Sequence, residues 1–204
     1  NVARLFDVGQ DGAHRFLTME LIVGQSLAAR LRDRGPLPVG EVLQHAQGIA
    51  AGLAAIHAAG VVHRDLKPDN VLLDAGQRVV ITDFGISQAA LGGSVRGEMA
   101  GTPTYMAPEQ VSGQPLDGRA DLYAFGLVVY EMLTGRPAWV GDTWLRAATV
   151  RLDKPPPRVA QFRPEAPSAL QHLVQQCLAT EPGGRPQSAE AVLERLRRRS
   201  EEHT

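Results

Sequence analysis

The chain has 204 residues, 44% of them hydrophobic and 21% charged, with a net charge of −1. Such totals describe a folded domain and give no electrostatic basis for binding nucleic acid or an anionic membrane surface. A single cysteine, Cys177, excludes an internal disulfide framework and any multi-cysteine metal site, and no apolar run reaches the roughly 18 residues of a membrane span.

In chain order, Ala3–Val8 and Arg15–Leu21 read as two short strands. The turn chemistry of Gln10-Asp11-Gly12-Ala13 joins them as a hairpin. Leu27–Arg34 reads as a short helix stopped by Gly35-Pro36. Val39, Val42, Leu43, Ala46, Ile49, Ala50, Leu53 and Ile56 recur at helical spacing until Gly60. Val61-Val62 and Val71-Leu72-Leu73 read as strands flanking a polar octet, and Val79-Val80-Ile81 as another strand. Ser87–Thr104 is rich in Gly, Ser and Ala without periodicity, which marks a functional segment. Asp121–Thr134 is apolar nearly all round, as a helix buried on most sides must be. Further helices are expected over Thr143–Val150, Ser168–Ala179 and Ser188–Arg199.

The octet His63-Arg64-Asp65-Leu66-Lys67-Pro68-Asp69-Asn70 concentrates the chemistry. It sets a carboxylate, an amine and an amide within six positions, which suits transfer of a phosphoryl group to a hydroxyl. Asp83-Phe84-Gly85 and then Ala107-Pro108-Glu109 follow. Taken singly, each motif is a turn or a coincidence. Their order and spacing resemble the eukaryotic-type Ser/Thr protein kinase family in its bacterial-like form. A bacterial source fits nineteen arginines against two lysines, Lys67 and Lys154, in a chain rich in Ala, Gly and Pro.

The resemblance implies an α+β, protein-kinase-like fold, with a mainly helical large lobe and the last two strands of the small lobe. Residues 1–23 would be the small-lobe remnant with its hinge, 24–199 the large lobe and 200–204 a tail. It implies ATP and Mg²⁺ as cofactors and protein serine or threonine hydroxyls as acceptors, in the cytoplasm. Asp65 would orient the acceptor and take its proton, with Lys67 against the transferring phosphoryl group. Asn70 and Asp83 would hold the metal. Met19, Glu20 and Ile22 would form the adenine hinge, and Leu72 the pocket floor. His63 and Phe84, with Leu5, would stack as structural links between lobes.

Arg64, buried or half-buried, would answer a phosphate on the Ser87–Thr104 stretch, with Ser94, Thr102 and Thr104 as acceptors. Thr102 would also shape the slot beside the target hydroxyl. Glu109 would pair with Arg185, and Asp121 would accept backbone N–H groups of the catalytic loop. His14, His45, His57, His172 and His203 have no partner at ligand spacing and read as ordinary surface or core residues, and Cys177 as inert core.

No Gly-x-Gly-x-x-Gly and no strand lysine occur in these residues. Beginning at Asn1 rather than Met, the chain reads as a piece cut from a longer kinase, inactive in isolation. The alternatives are a pseudokinase-type binding module and a small-molecule phosphotransferase of the same fold. The four intact residues Asp65, Lys67, Asn70 and Asp83 argue against the first, and the Glu109/Arg185 pairing against the second. By resemblance, the longer protein leaves room for a membrane tether after Arg197-Arg198-Arg199.

Overall fold

The computed structural model describes residues 1–12, 14–83, 103–139, 151–152 and 154–201. The hairpin forms as β1 (Leu5–Asp11) and β2 (His14–Met19), antiparallel from Leu5 opposite Met19 to Asp11 opposite His14. Gly12, at φ 57, supplies the left-handed turn. Phe6, Val8 and Phe16 stay exposed on this two-stranded sheet, and so does Leu5, expected in an interior stack.

A second sheet, in the order β3-β4-β5, is antiparallel throughout: β3 (Gly24–Ser26), β4 (Val71–Asp74) and β5 (Val79–Ile81). Here the sequence expectation needs correction. Val61 and Val62 join no ladder, and the partner of β4 is instead the three-residue β3. Three residues are too few for alternation to appear in sequence. What permits the pairing is Gly24, where an added Cβ would lie 2.0 Å from the Leu73 carbonyl oxygen. The first residues dock on the outer side of β5: Ile81 N–H donates to Asn1 O at 2.8 Å, and Ala3 N–H to Ile81 O at 2.9 Å.

Helix α1 (Leu27–Arg34) starts where Ser26 Oγ accepts Ala29 N–H at 3.1 Å, a cap contributing about 1 kcal/mol. Gly35, at φ 68, ends it. Helix α2 (Val39–Ala58) buries Val42, Ala46, Ile49, Ala50 and Leu53. After the short α3 (Pro108–Val111) comes α4 (Gly118–Thr134), which begins three residues earlier than its apolar pattern because Asp117 caps it. Buried Leu122, Phe125, Val128, Val129 and Leu133 let α4 act as the central post, packed by α2 and α5 (Ser168–Cys177). A Cβ on Gly126 would come within 2.7 Å of Cys177 Cβ, so glycine sets the α4–α5 approach. Cys177 is fully buried, and burial pushes its thiol pKa up to about 12, which suits inert core. Helix α6 (Ala189–Glu201) closes over α2. The helix expected over Thr143–Val150 lies outside the described residues.

Candidate active site

The polar octet leaves α2 through a turn at Gly60, φ 73, and enters β4 through a 3-10 turn at Pro68–Asn70. His63 anchors it from beneath. The ring is fully buried, donates from Nε2 to Thr82 O at 3.0 Å and accepts Asp65 N–H at Nδ1, 3.2 Å. One nitrogen donating and one accepting is the pattern of neutral imidazole. Burial, the dominant influence, lowers the His63 pKa and keeps it so. These two contacts brace the octet against Thr82.

Asp121, on the first turn of α4, holds the loop by its backbone. Its Oδ1 accepts Arg64 N–H at 2.8 Å and its Oδ2 accepts His63 N–H at 2.8 Å. His57 Nε2, on the last turn of α2, lies 2.8 Å from the same Oδ2. The other side of Arg64 is gripped too, since Gln110 Nε2 donates to Arg64 O at 2.8 Å. Arg64 sits at φ 69, a conformation costing of order 1–3 kcal/mol that surrounding contacts must impose. Its side chain is exposed, not buried or half-buried as the sequence reading had it. The α4 and α3 contacts take the Arg64 backbone while the residue stays exposed.

With the backbone fixed, three side chains of the octet converge. Lys67 Nζ lies 2.9 Å from Asp65 Oδ2, and Asn70 Nδ2 donates to Asp65 O at 2.8 Å and to Oδ2 at 3.1 Å. The Asp65 side chain remains 37% exposed, so its carboxylate can be reached by a substrate. Asn70 spends its amide N–H groups on Asp65, which leaves Oδ1 to accept or to ligate.

Strand pairing brings up the second acidic residue. Val71 stands opposite Ile81, and Thr82 N–H donates to Asn70 O at 3.0 Å. Asp83 is therefore the next residue at the Asn70 end of the β4–β5 ladder. It is exposed, at φ 57. An amide oxygen and a carboxylate at one ladder end are a hard-oxygen set that fits Mg²⁺ alongside phosphate and water oxygens.

Met19 ends β2 and Glu20 follows it, its N–H donating to Arg4 O at 2.8 Å. Ile22 follows, half-buried, and so is Leu72 on β4. On the far side Glu109 is buried against Arg185, with Nη1 2.6 Å from Oε1 and Nη2 2.8 Å from Oε2. Phe84, Ser94 and Thr102 lie outside the described residues, while Thr104 is half-buried.

Four residues escaped the sequence reading. His57 and Gln110 brace the polar octet, as above. Glu131 accepts the Tyr105 hydroxyl at 2.5 Å, and burial raises the pKa of both groups. Arg151 donates to the carbonyls of Met106 and Thr104. No motif carries any of them.

The protein kinase domain family matches residues 1–196, nearly the whole chain. The chain belongs to the protein kinase domain family. Protein kinases use ATP with Mg²⁺, and the octet is their catalytic-loop pattern. Among similar proteins, the serine/threonine-protein kinase PknL of Mycobacterium tuberculosis (strain CDC 1551 / Oshkosh) is 40% identical over 190 residues, 92% of this chain and 48% of the relative. Serine/threonine-protein kinase pkn2 of Myxococcus xanthus is 38% identical over 210 residues, 96% of this chain and 25% of the relative. PknD of M. tuberculosis is 38% identical over 192 residues, 93% of this chain and 29% of the relative. The kinase chain thus spans about half the length, or less, of these curated relatives.

Proposed function

We propose that this kinase domain transfers the γ-phosphoryl group of ATP to serine and threonine hydroxyls of proteins. The observation that carries the reading is the accessible Asp65 carboxylate, with Lys67 Nζ at 2.9 Å and the Asn70 amide at 3.1 Å on one of its oxygens. Asp65 orients the acceptor hydroxyl and receives its proton, and Lys67 offers positive charge beside the phosphoryl group in transit. Asn70 and Asp83 are the residues that would hold Mg²⁺, which when bound neutralises charge on the nucleotide phosphates. Met19, Glu20 and Ile22 meet adenine over Leu72. Residues 1–23 serve as small-lobe remnant and hinge, and 24–199 as the large lobe.

Three features support Ser/Thr acceptors: Lys67 two residues after Asp65, the Gly101–Tyr105 segment, and relatives whose names carry that specificity. The exposed Arg64 is the site that answers a phosphate on Ser94, Thr102 or Thr104. Among the described residues no helix is long and apolar enough to cross a membrane, and the reading places the domain in the cytoplasm. The 204 residues carry no glycine-rich loop and no strand lysine, so the reading has them inactive in isolation.

The test is phosphate transfer from ATP·Mg²⁺ to Ser/Thr and Tyr peptides by the full-length gene product. Transfer to Ser/Thr peptides that is lost in Asp65→Asn supports the reading. Transfer confined to tyrosine, or undiminished by Asp65→Asn, overturns it.

A further inference from the structure

Arg151 is the bulkiest fully buried side chain among the described residues, 1% exposed. It lies 45 residues or more from the groups it holds. From Nη1 it donates to Met106 O, and from Nη2 to Thr104 O at 3.1 Å. These carbonyls flank Tyr105, which is itself tied to α4 through Glu131 at 2.5 Å. One residue on, Gln110 Oε1 accepts Ala107 N–H at 2.9 Å while its Nε2 reaches Arg64 O in the catalytic loop at 2.8 Å. The stretch from Thr104 to Ala107 is therefore held by side chains from three elements, and one of them continues directly to the residue beside Asp65.

Interior guanidinium is expensive, and burial lowers the Arg151 pKa as expected. Volume alone does not require it, since an unbranched apolar side chain fills such space at no electrostatic cost. What arginine adds is a planar fork with fixed donors, able to reach two carbonyls two residues apart. Neither a lysine point charge nor a methionine can span both.

We infer that Arg151 is a positioning residue for peptide recognition, fixing the Thr104–Met106 backbone so that the acceptor peptide meets a rigid slot aligned with Asp65. The inference rests on the protein kinase reading above. It assigns Arg151 to acceptor recognition and leaves nucleotide binding to the hinge and the β4–β5 end.

Hydrogen–deuterium exchange on the 204-residue chain tests the contact without any need for activity. In Arg151→Met, exchange of the Ala107 amide and its neighbours rises about tenfold or more, as loss of charge-assisted hydrogen bonds predicts, while α2 amides keep their rates. Arg151→Lys, which folds with less disruption, restores part of the protection. In the full-length gene product the same variants raise the KM for an acceptor peptide about tenfold, with the KM for ATP and kcat at saturating peptide near wild type. Unchanged exchange at 104–110, or acceleration spread equally over α2, overturns the inference. So does a fall in kcat with both KM values moving together. If wild type transfers no phosphate, the kinase reading fails, and the exchange experiment still decides whether Arg151 holds the segment.

Discussion

Arg185 meets Glu109 in a two-pronged contact, Nη1 to Oε1 at 2.6 Å and Nη2 to Oε2 at 2.8 Å, with both residues buried. The remaining donors of the guanidinium are also used: Nε on Ala179 O at 2.9 Å, Nη1 on Arg119 O at 2.9 Å and Nη2 on Thr180 O at 2.8 Å. One side chain thus links α3, the start of α4 and the loop after α5.

Removing one partner leaves the other charge buried without compensation, which costs about 3–5 kcal/mol. Arg185→Leu and Glu109→Leu should each lower the urea midpoint accordingly, with the slope unchanged. The double variant Glu109→Leu/Arg185→Leu should lose less than the sum, because no charge is stranded. Urea denaturation of the four proteins measures the coupling directly.

Asp121 is a site where asparagine is no conservative change. Oδ1 accepts Arg64 N–H, and Oδ2 accepts His63 N–H beside His57 Nε2. An amide would turn an NH₂ group toward one of those N–H donors. Asp121→Ala should cost about 2–6 kcal/mol, the sum of two backbone donors left unsatisfied, and Asp121→Asn, which leaves one of them unsatisfied, about 1–3 kcal/mol. Phosphate transfer should fall about a hundredfold beyond any loss of folded protein, because the loop that carries Asp65 relaxes from φ 69 at Arg64. Thermal unfolding and kcat on the same preparations separate the two effects.

The architecture could be read from the chain because its helices are periodic and long. Apolar residues from Val39 to Ile56 and from Leu122 to Leu133 give α2 and α4 within a few residues of their ends. The octet and Asp83 are legible for another reason: a short loop between packed elements concentrates all its chemistry locally. Arg151, Gln110 and Glu131 act across 26 to 47 residues through backbone carbonyls and a hydroxyl. A backbone acceptor has no letter in the sequence, so such contacts leave no pattern there. The three-residue β3 fails for want of length, and Arg64 was misjudged because its backbone, not its side chain, is what the core holds.

Asp65→Asn separates chemistry from stability. The carboxylate is 37% exposed and its pairing with Lys67 is half-solvated, so the ion pair contributes under about 1 kcal/mol. Asparagine keeps an oxygen for Lys67 and Asn70 but gives up the proton acceptor. The melting temperature should stay near wild type while kcat in the full-length gene product falls about 10²–10⁴-fold. A melting temperature that drops with activity would make Asp65 a structural residue.

Acid should unfold this domain through its buried histidines. His45 and His63 are both fully buried, and in each case burial is the largest influence, lowering the pKa below the ordinary 6.5. For His45 the Glu41 carboxylate, 3.4 Å away, opposes the effect and Arg30 reinforces it, with burial prevailing. For His63 the Asp121 and Asp65 carboxylates oppose burial and do not overcome it. A lowered folded-state pKa means that the unfolded chain takes up the proton first as pH falls. Stability is then complete above the unfolded value near 6.5 and declines below it until the folded-state pKa is reached. The slope approaches about 1.4 kcal/mol per pH unit for each histidine within that window. Urea midpoints from pH 8 to pH 5 should be flat at first and then fall. His45→Phe should remove about half of that fall, since His63 continues to titrate. An unchanged pH profile in that variant would mean that His45 titrates alike in the folded and unfolded chain, with Glu41 fully offsetting burial.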